Sequence, residues 1–173
     1  MDPDAFTRLI RDIPDYPQPG VMFRDITPLL ADAAAFSAAI DAMAEPFMGE
    51  VDVVAGVEAR GFIFAAPLAH RLGVGFVPVR KPGKLPWETV SQSYELEYGI
   101  DTLEIHSDGV SAGQRVLLVD DVLATGGTAA AAVALLESTG ATVSALSFLV
   151  ELLFLDGRSK LGDAAIHSIV TYS

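Results

Sequence analysis

Two adjacent carboxylates, followed by a short loop of small residues, are the feature of this sequence most able to do chemistry. Asp120 and Asp121 come directly after the apolar run at residues 116–119 and shortly before Ala124-Thr125-Gly126-Gly127-Thr128. An alanine-rich run at residues 129–136 follows, so the pattern predicts a buried strand, a loop and a helix. Such a loop offers backbone N–H groups and two hydroxyls to an anion, and the helix start adds about half a positive charge. The loop is therefore a candidate phosphate site.

The segment Gly126-Gly127-Thr128 alone is compatible with two structures. One is a tight turn between strand and helix with acidic caps, and the other is a loop that holds a phosphate group. Glycine at both positions lets the backbone approach a ligand, because no Cβ atom stands in the way. The sequence contains neither the Walker motif nor the G-x-G-x-x-G dinucleotide motif.

Most of the lysines of this acidic chain lie in one other segment. Of the three lysines, Lys81 and Lys84 lie beside Arg80, in a stretch that also contains Pro82 and Gly83. A solvent-exposed loop is the simpler interpretation. The net charge is −12, however, so an anionic ligand needs positive charge gathered locally. We therefore predict a hinged lid that supplies this charge and excludes water.

A second junction between strand and helix carries Glu58-Ala59-Arg60-Gly61. A surface turn with a capping glutamate is one interpretation. The other is a pyrophosphate loop, because N–H groups at a helix start and the planar guanidinium of Arg60 both suit that anion.

Composition limits the kinds of protein that this chain can be. A length of 173 residues, with 51% apolar residues, predicts a single domain that spans residues 1–173. The absence of cysteine excludes disulfides and thiolate metal sites and fits the reducing cytoplasm. The first residues lack a signal-peptide pattern, and the longest apolar run, residues 145–155, is too short to cross a membrane. The negative charge argues against nucleic acid as a partner.

The elements that must position these residues alternate between strands and helices. Apolar runs predict strands at residues 51–57, 75–79 and 115–119, and a helix at residues 61–72 that ends at Gly73. This alternation predicts a mostly parallel sheet with right-handed crossovers. Since the carboxyl ends of parallel strands share one edge, the loops that follow them should converge on one site.

The remaining segments have weaker patterns. Residues 3–12 suggest a short amphipathic helix, and residues 13–28 are expected to lack regular structure because they are rich in proline. Asp32 is a plausible N-cap of a helix. Residues 94–105 alternate like an antiparallel pair of strands, and residues 166–172 like a final strand.

Six blocks of the sequence resemble one family. They match, in the same order, the adenine phosphoribosyltransferases, a branch of the type I phosphoribosyltransferase family. The blocks are Pro19-Gly20-Val21-x-Phe23-Arg24-Asp25-Ile26, Arg60-Gly61-Phe62, Arg80-Lys81-x-Gly83-Lys84-Leu85-Pro86, Ser93-Tyr94-x-Leu96-Glu97-Tyr98-Gly99, the run from Asp120 to Thr128, and Val150-Glu151-Leu152. The resemblance implies an α/β fold with a mostly parallel central sheet flanked by helices, a small hood and a flexible lid loop.

The resemblance also implies an activity. Members of the family transfer the 5-phosphoribosyl group of phosphoribosyl pyrophosphate (PRPP) to N9 of adenine, which gives AMP and pyrophosphate in purine salvage. The implied cofactor is Mg²⁺, held mainly by PRPP, and the implied assembly is a homodimer. Transferases for 6-oxopurines resemble one another in using a lysine near the C-terminal strand, and residues 150–155 contain none. Adenine is therefore the implied base.

Individual roles follow from the same resemblance. The implied catalytic residues are Glu97, Asp120, Asp121 and Arg60. The implied PRPP-binding residues are Arg60, Arg80, Lys81, Lys84, Asp120, Asp121, Ala124, Thr125, Gly126, Gly127 and Thr128. The implied adenine-binding residues are Met22, Phe23, Arg24 and Leu152, with the main chain of Met22 and Arg24 binding the base edge. No residue is directly assigned to the metal.

Two alternatives remain open at this point. One is a regulator that binds PRPP without turnover, and the other is a transferase for another purine such as xanthine. From spacing alone Glu97 is an ordinary strand residue, so its role depends on the resemblance. Trp87 stands in the predicted lid, where a polar residue is expected.

Overall fold

The computed structural model describes residues 3–95 and 99–173. Its helices and strands, in chain order, are α1 (Pro3–Thr7), β1 (Arg11–Ile13), β2 (Phe23–Asp25), α2 (Thr27–Ala31), α3 (Ala33–Ala44), β3 (Val53–Val57), α4 (Gly61–Leu72), β4 (Gly75–Val79), β5 (Thr89–Glu95), β6 (Ile100–His106), β7 (Arg115–Leu123), α5 (Gly127–Glu137), β8 (Thr142–Leu152) and β9 (Ala165–Tyr172). Short 3₁₀ turns lie at Glu45–Phe47, Leu153–Leu155 and Gly157–Lys160.

The centre of the fold is a five-stranded sheet in the order β4-β3-β7-β8-β9. All four neighbouring pairs are parallel. The predicted α/β class and parallel sheet are therefore confirmed. As expected for such a sheet, the loops after β3, β4 and β7 leave from the same edge.

Both faces of the sheet are buried, which explains the unbroken apolar run in β7. Leu117 and Val119 belong to the core on the side of α1, α3 and α4. Val116 and Leu118 belong to the core on the side of α5, β5 and β6. Each of these side chains contributes about 1.5–3 kcal/mol through burial relative to exposure. The position of β7 at the middle of the sheet is thus fixed from both sides.

The end of β7 differs from the prediction. The sequence predicts that the strand ends at Val119 and that the carboxylates follow it, but β7 continues to Leu123. Its partner β8 also extends, so that Asp120 pairs with Phe148 and Val122 with Val150. The two carboxylates are therefore held in a paired strand rather than in a loop.

Two antiparallel hairpins stand outside the main sheet. The pairing of β1 with β2 was not predicted, and it places Asp12 opposite Arg24. Helix α1 accordingly ends at Thr7 rather than near residue 12. The second hairpin, β5 with β6, confirms the predicted antiparallel pair. Residues 80–88 connect β4 to it and correspond to the predicted lid.

The helix boundaries follow the local signals. The Asp32 side chain accepts a hydrogen bond from the N–H of Ala35 at 2.9 Å and so caps α3. Gly73 ends α4 in a left-handed conformation. Within residues 3–95 and 99–173, none of the helices has the length and apolar character needed to cross a membrane.

Candidate active site

A cavity of about 230 Å³ lies at the carboxyl edge of the sheet, against β7 and the start of α5. It is lined by Arg60 and by residues 120–129. The structure therefore brings Arg60, Asp120, Asp121 and the five loop residues from Ala124 to Thr128 to one place. These are eight of the eleven residues predicted to bind PRPP.

The loop of residues 124–128 is shaped for close approach of an anion. Gly126, the N-cap of α5, has a φ of 77°, which favours glycine, and within the described residues no side chain caps this helix end. The N–H groups of the first turn of α5 are thus available to a ligand in the cavity, and the helix dipole favours negative charge there.

Behind this loop lies the turn after β8. A Cβ atom placed on Gly126 would be 2.3 Å from the carbonyl oxygen of Gly157, and one placed on Gly157 would be 2.3 Å from that of Ala124. Arg158 anchors this turn. Its guanidinium donates two hydrogen bonds to the buried carboxylate of Glu151, at 2.5 and 2.7 Å. The loop backbone is therefore held in place from behind.

The two adjacent carboxylates have unlike surroundings. Asp121 is 5% exposed, and its Oδ2 lies 2.8 Å from Nε of Arg60. Asp120 accepts a hydrogen bond from the backbone N–H of Asp121. Burial and the neighbouring charge of Asp121 raise the pKa of Asp120 well above its usual range. Burial also raises the pKa of Asp121, although the positive charge of Arg60 opposes the effect.

Two of the predicted lid cations, Arg80 and Lys84, pair with Glu58 at the end of β3, whereas the ammonium of Lys81 pairs with Asp101. The carboxylate of Glu58 accepts hydrogen bonds from Nε of Arg80 and from the backbone N–H of Lys81, both at 3.0 Å. Nζ of Lys84 lies 3.3 Å from the same carboxylate. Burial opposes the ionisation of Glu58, but these contacts outweigh it and lower its pKa. The cations thus lie at the neighbouring strand ends and are not among the residues that line the cavity.

A second cavity, of about 250 Å³, adjoins the first and is largely apolar. Its lining includes all four residues predicted to contact adenine, and the full set is Val21, Met22, Phe23, Arg24, Arg60, Val122, Ala124, Leu152 and Leu155. Arg60, Val122 and Ala124 line both cavities. The guanidinium of Arg60 lies 5.5 Å from the centre of the Phe23 ring. A flat apolar ligand in this cavity would therefore lie beside the loop of residues 124–128, which we call the phosphate loop.

The side chain of Arg24 has a structural task here. It forms an ion pair with Asp12 across the β1–β2 hairpin. Its guanidinium also stacks 3.8 Å from the centre of the Tyr172 ring, at the end of β9. These contacts engage the side chain of Arg24 and fix the β1–β2 hairpin to the end of β9.

Comparison with known proteins identifies the family. Residues 23–161 match the phosphoribosyl transferase domain. An adenine phosphoribosyltransferase of Thermobifida fusca (strain YX) is 63% identical over 165 residues, which cover 95% of this chain and 94% of that protein. This chain belongs to the adenine phosphoribosyltransferase family.

Solved structures of adenine phosphoribosyltransferases share the fold. The enzyme of Thermoanaerobacter pseudethanolicus ATCC 33223 is 56% identical, with a TM-score of 0.95 over 98% of this chain and 99% of that one. The enzyme of Saccharomyces cerevisiae, crystallised with adenine and an imino-altritol bisphosphate, is 42% identical, with a TM-score of 0.91 over 97% of this chain and 98% of that one.

Glu97, the catalytic acid or base implied by the resemblance to adenine phosphoribosyltransferases, lies outside the described residues. Strand β5 ends at Glu95, and strand β6 begins at Ile100. Of the residues nearby, Tyr94 is part-buried and its hydroxyl lies 3.3 Å from that of Thr128. Strand β5 is therefore close to the phosphate loop at Tyr94.

The residues of the first cavity suit the Mg²⁺ that adenine phosphoribosyltransferases are expected to use. In the described part of the chain no three His, Cys, Asp or Glu residues are clustered so as to hold a metal ion. Asp120 and Asp121 nevertheless supply oxygen donors at the cavity wall. Because Mg²⁺ is commonly bound by one or two carboxylates together with substrate phosphates, this donor set fits a metal that arrives with PRPP.

The sequence did not identify every residue that shapes this adenine phosphoribosyltransferase site. The sequence places Glu58 in a capped turn or a pyrophosphate loop but does not predict that it binds the lid cations, although a carboxylate directly after a buried strand is a usable signal. Gly157 and Asp101 carried no local signal, because their importance depends on contacts with residues far away in the chain.

Proposed function

We propose that this chain transfers the 5-phosphoribosyl group of PRPP to N9 of adenine, which gives AMP and pyrophosphate. The observation that carries the proposal is the pair of adjoining cavities: one has a phosphate loop and two carboxylates, and the other is apolar. A phosphorylated ribose in the first cavity and a purine in the second would meet at their common wall, where Arg60 lies. The names of the relatives favour adenine over xanthine and an enzyme over a regulator without turnover.

In this reaction the bond from N9 of adenine to C1′ forms while the bond from C1′ to the pyrophosphate oxygen breaks. The bonding electrons leave on pyrophosphate, and the proton of N9 is lost. The protein acts by positioning and by electrostatic stabilisation of the charge that develops. Mg²⁺, when bound, neutralises part of the pyrophosphate charge.

The residues divide these tasks. Backbone N–H groups and hydroxyls of residues 124–128 bind the 5′-phosphate, and Asp120 and Asp121 face the ribose hydroxyls. Arg60, together with Arg80, Lys81 and Lys84 from the lid, stabilises the leaving pyrophosphate. The three lid cations must leave Glu58 and Asp101 to do so, which requires movement of residues 80–88. Glu97 acts as the acid or base near the purine.

The adenine site uses main-chain polarity. The N–H and C=O groups of Met22 and Arg24 match an edge that has both donors and acceptors. Phe23 and Leu152 contact the two faces of the ring. The engagement of the Arg24 side chain with Asp12 and Tyr172 supports this assignment, because it holds the backbone of β2 at the cavity.

Three broader expectations belong to the same proposal. Residues 1–173 form a single phosphoribosyltransferase domain, a homodimer is the working assembly, and the enzyme acts in the cytoplasm. The nearly complete coverage shared with relatives supports the first. The other two are carried by the family resemblance and, for location, by the absence of cysteine.

The test is an assay of purified protein with Mg²⁺, PRPP and one purine at a time, followed by chromatography of the nucleotides. AMP from adenine, with little product from hypoxanthine, guanine or xanthine, is the expected result. Binding of PRPP without any nucleotide product would instead indicate a regulator.

Variants of the site sharpen this assay. Asp121→Asn and Arg60→Ala should each lower kcat/KM at least about 100-fold while the fold remains intact, because both residues line the first cavity. Asp41→Asn is a matched control, since Asp41 forms an exposed ion pair with Arg71 and lines neither cavity. Unchanged kinetics in both site variants would remove the assignment.

Glu97→Gln should lower kcat more than it raises KM for adenine.

A further inference from the structure

A polar network that includes Tyr94 and Asp101, two residues outside the predicted site, connects the lid to the phosphate loop. Nζ of Lys81 forms an ion pair with Oδ2 of Asp101. The hydroxyl of Tyr94 donates a hydrogen bond to the same carboxylate oxygen at 3.1 Å. The Tyr94 hydroxyl also lies 3.3 Å from Oγ1 of Thr128, at the start of α5. One carboxylate is thus linked both to a lid cation and to a phosphate-loop hydroxyl.

The fold explains why these groups meet. Tyr94 and Asp101 are directly opposite each other in the β5–β6 hairpin, so their side chains are on the same face. The start of α5 packs closely beneath β5, with a Cβ position on Gly127 only 4.0 Å from the Tyr94 ring. Lys81 reaches the pair from the loop that follows β4, at 3.5 Å from the Tyr94 hydroxyl.

The number of available protons determines which group donates in each hydrogen bond of this network. A tyrosine hydroxyl has one proton, and that of Tyr94 is directed to Asp101. The hydroxyl of Thr128 must then donate its proton to the oxygen of Tyr94. Asp101 therefore holds two groups that a phosphate would need: the ammonium of Lys81 and, through Tyr94, the hydroxyl of Thr128.

We propose that Asp101 is a positioning residue that competes with the substrate phosphates for Lys81 and for the hydroxyl of Thr128. It keeps Lys81 and the Thr128 hydroxyl oriented beside the cavity, and it must give up both when PRPP binds. The proposal rests on the function proposed above. It assigns to Asp101 the role of weakening the binding of PRPP, so that the phosphorylated product and pyrophosphate are also released more readily.

The charges favour this role. The Lys81–Asp101 contact lowers the pKa of Asp101. Burial opposes the charged form of Lys81, but its contacts with Asp101 and Tyr94 outweigh burial and raise its pKa. Both groups are therefore charged at neutral pH. Asp101 and Thr128 share Tyr94 as a common neighbour, so the carboxylate places negative charge close to the loop that is proposed to bind a phosphate, and like charges repel.

The decisive experiment is a double-mutant cycle on Lys81 and Asp101, with calorimetric titration of the full-length protein by Mg²⁺–PRPP. Asp101→Asn should lower the Kd for PRPP about three- to tenfold, because the competitor and the like charge are both removed. In steady state KM for PRPP should fall and kcat should not rise, since a tighter ground state adds nothing to the chemical step. In a Lys81→Ala background, Asp101→Asn should tighten binding by a clearly smaller factor, because the competition for Lys81 is already gone and only the like charge and the link through Tyr94 remain to be removed.

Controls separate charge from structure and this inference from the proposed function. Asp101→Glu keeps the charge and should stay near the wild-type Kd, and Tyr94→Phe, which cuts the link to Thr128, should tighten binding less than Asp101→Asn. Equal or weaker binding of PRPP by Asp101→Asn, or equal tightening with and without Lys81, would overturn the inference while the wild type still made AMP. A folded wild type that does not bind PRPP would overturn the inference and the proposed function together.

Discussion

The carboxylate of Asp120 lies where burial and the neighbouring carboxylate of Asp121 both disfavour its charged form. Asp121 beside it is compensated by Arg60 at 2.8 Å, whereas Asp120 receives one backbone N–H. Such an arrangement lowers the stability of the fold, because two like charges are costly where one carboxylate is buried and the other is partly buried. The two carboxylates are thus expected to matter for binding and to be unfavourable for folding.

Asp120→Asn should raise the melting temperature at pH 7 by at least about 2 °C while it lowers kcat/KM. Below the usual pKa of about 3.8 both the folded and the unfolded chain hold this proton, so nothing is gained there. As the pH rises, the unfolded chain loses the proton first and the penalty on the folded state grows. Thermal denaturation of both proteins between pH 4 and pH 8 measures this. A difference that shrinks as the pH rises would contradict the argument.

At the scale of elements, the phosphate loop is held between α5 in front and the Gly157–Lys160 turn behind. The contacts of Gly157 with Ala124 and Gly126 leave no room for a side chain. The Arg158–Glu151 pair ties this turn to β8, and its hydrogen bonds, opposed by burial, lower the pKa of Glu151. The conformation of the loop therefore depends on a turn that contributes no group to the cavity lining.

Gly157→Ala should raise KM for PRPP about tenfold or more and KM for adenine much less, because a Cβ atom would displace the loop backbone. Steady-state kinetics with each substrate varied in turn separates the two constants. Gly75→Ala is the matched control, since a Cβ there makes an ordinary contact of 3.8 Å with Val53. If both variants behave alike, the turn does not support the loop.

Local sequence patterns predict the strand and the helix on either side of the phosphate loop. They do not predict all the elements that complete the two cavities. The strand, loop and helix at residues 115–137 have strong periodicity and a glycine signal, so sequence and structure agree there except at the end of β7. The β1–β2 hairpin, by contrast, depends on pairing between Asp12 and Arg24 and has no periodic pattern. The Asp101–Tyr94 pair likewise depends on the register of a hairpin, which single residues do not encode.

At the scale of the whole molecule, Asp52 at the amino edge of the sheet and the Asp120–Asp121 pair at the carboxyl edge respond to pH in opposite ways. At the amino edge, Asp52 accepts hydrogen bonds from the side chain and the backbone N–H of Arg115, and they lower its pKa to about 2. At the carboxyl edge the pKa values of Asp120 and Asp121 are raised. The ionised Asp52 therefore stabilises the fold at neutral pH, whereas the Asp120–Asp121 pair destabilises it.

Asp52→Asn should lower the melting temperature at pH 7, because the folded chain loses contacts between the starts of β3 and β7. The stabilisation is present above the usual pKa of about 3.8 and is lost as the pH falls through about 2. The difference from wild type should thus be constant from pH 5 to 7 and shrink below pH 4, as followed by circular dichroism. A difference that grows on acidification would show that the ion pair is not its source.

Arg60 is the charged residue among the three that line both the polar and the apolar cavity, and its position has a thermodynamic consequence. A ligand that reorients the guanidinium in one compartment changes the partner available in the other, so the two substrates cannot bind independently. The coupling is reciprocal: whatever factor adenine contributes to the affinity for PRPP, PRPP returns to adenine. A single molecule that spans both compartments would engage this one side chain from two directions, and its affinity would exceed the product expected from its separate halves.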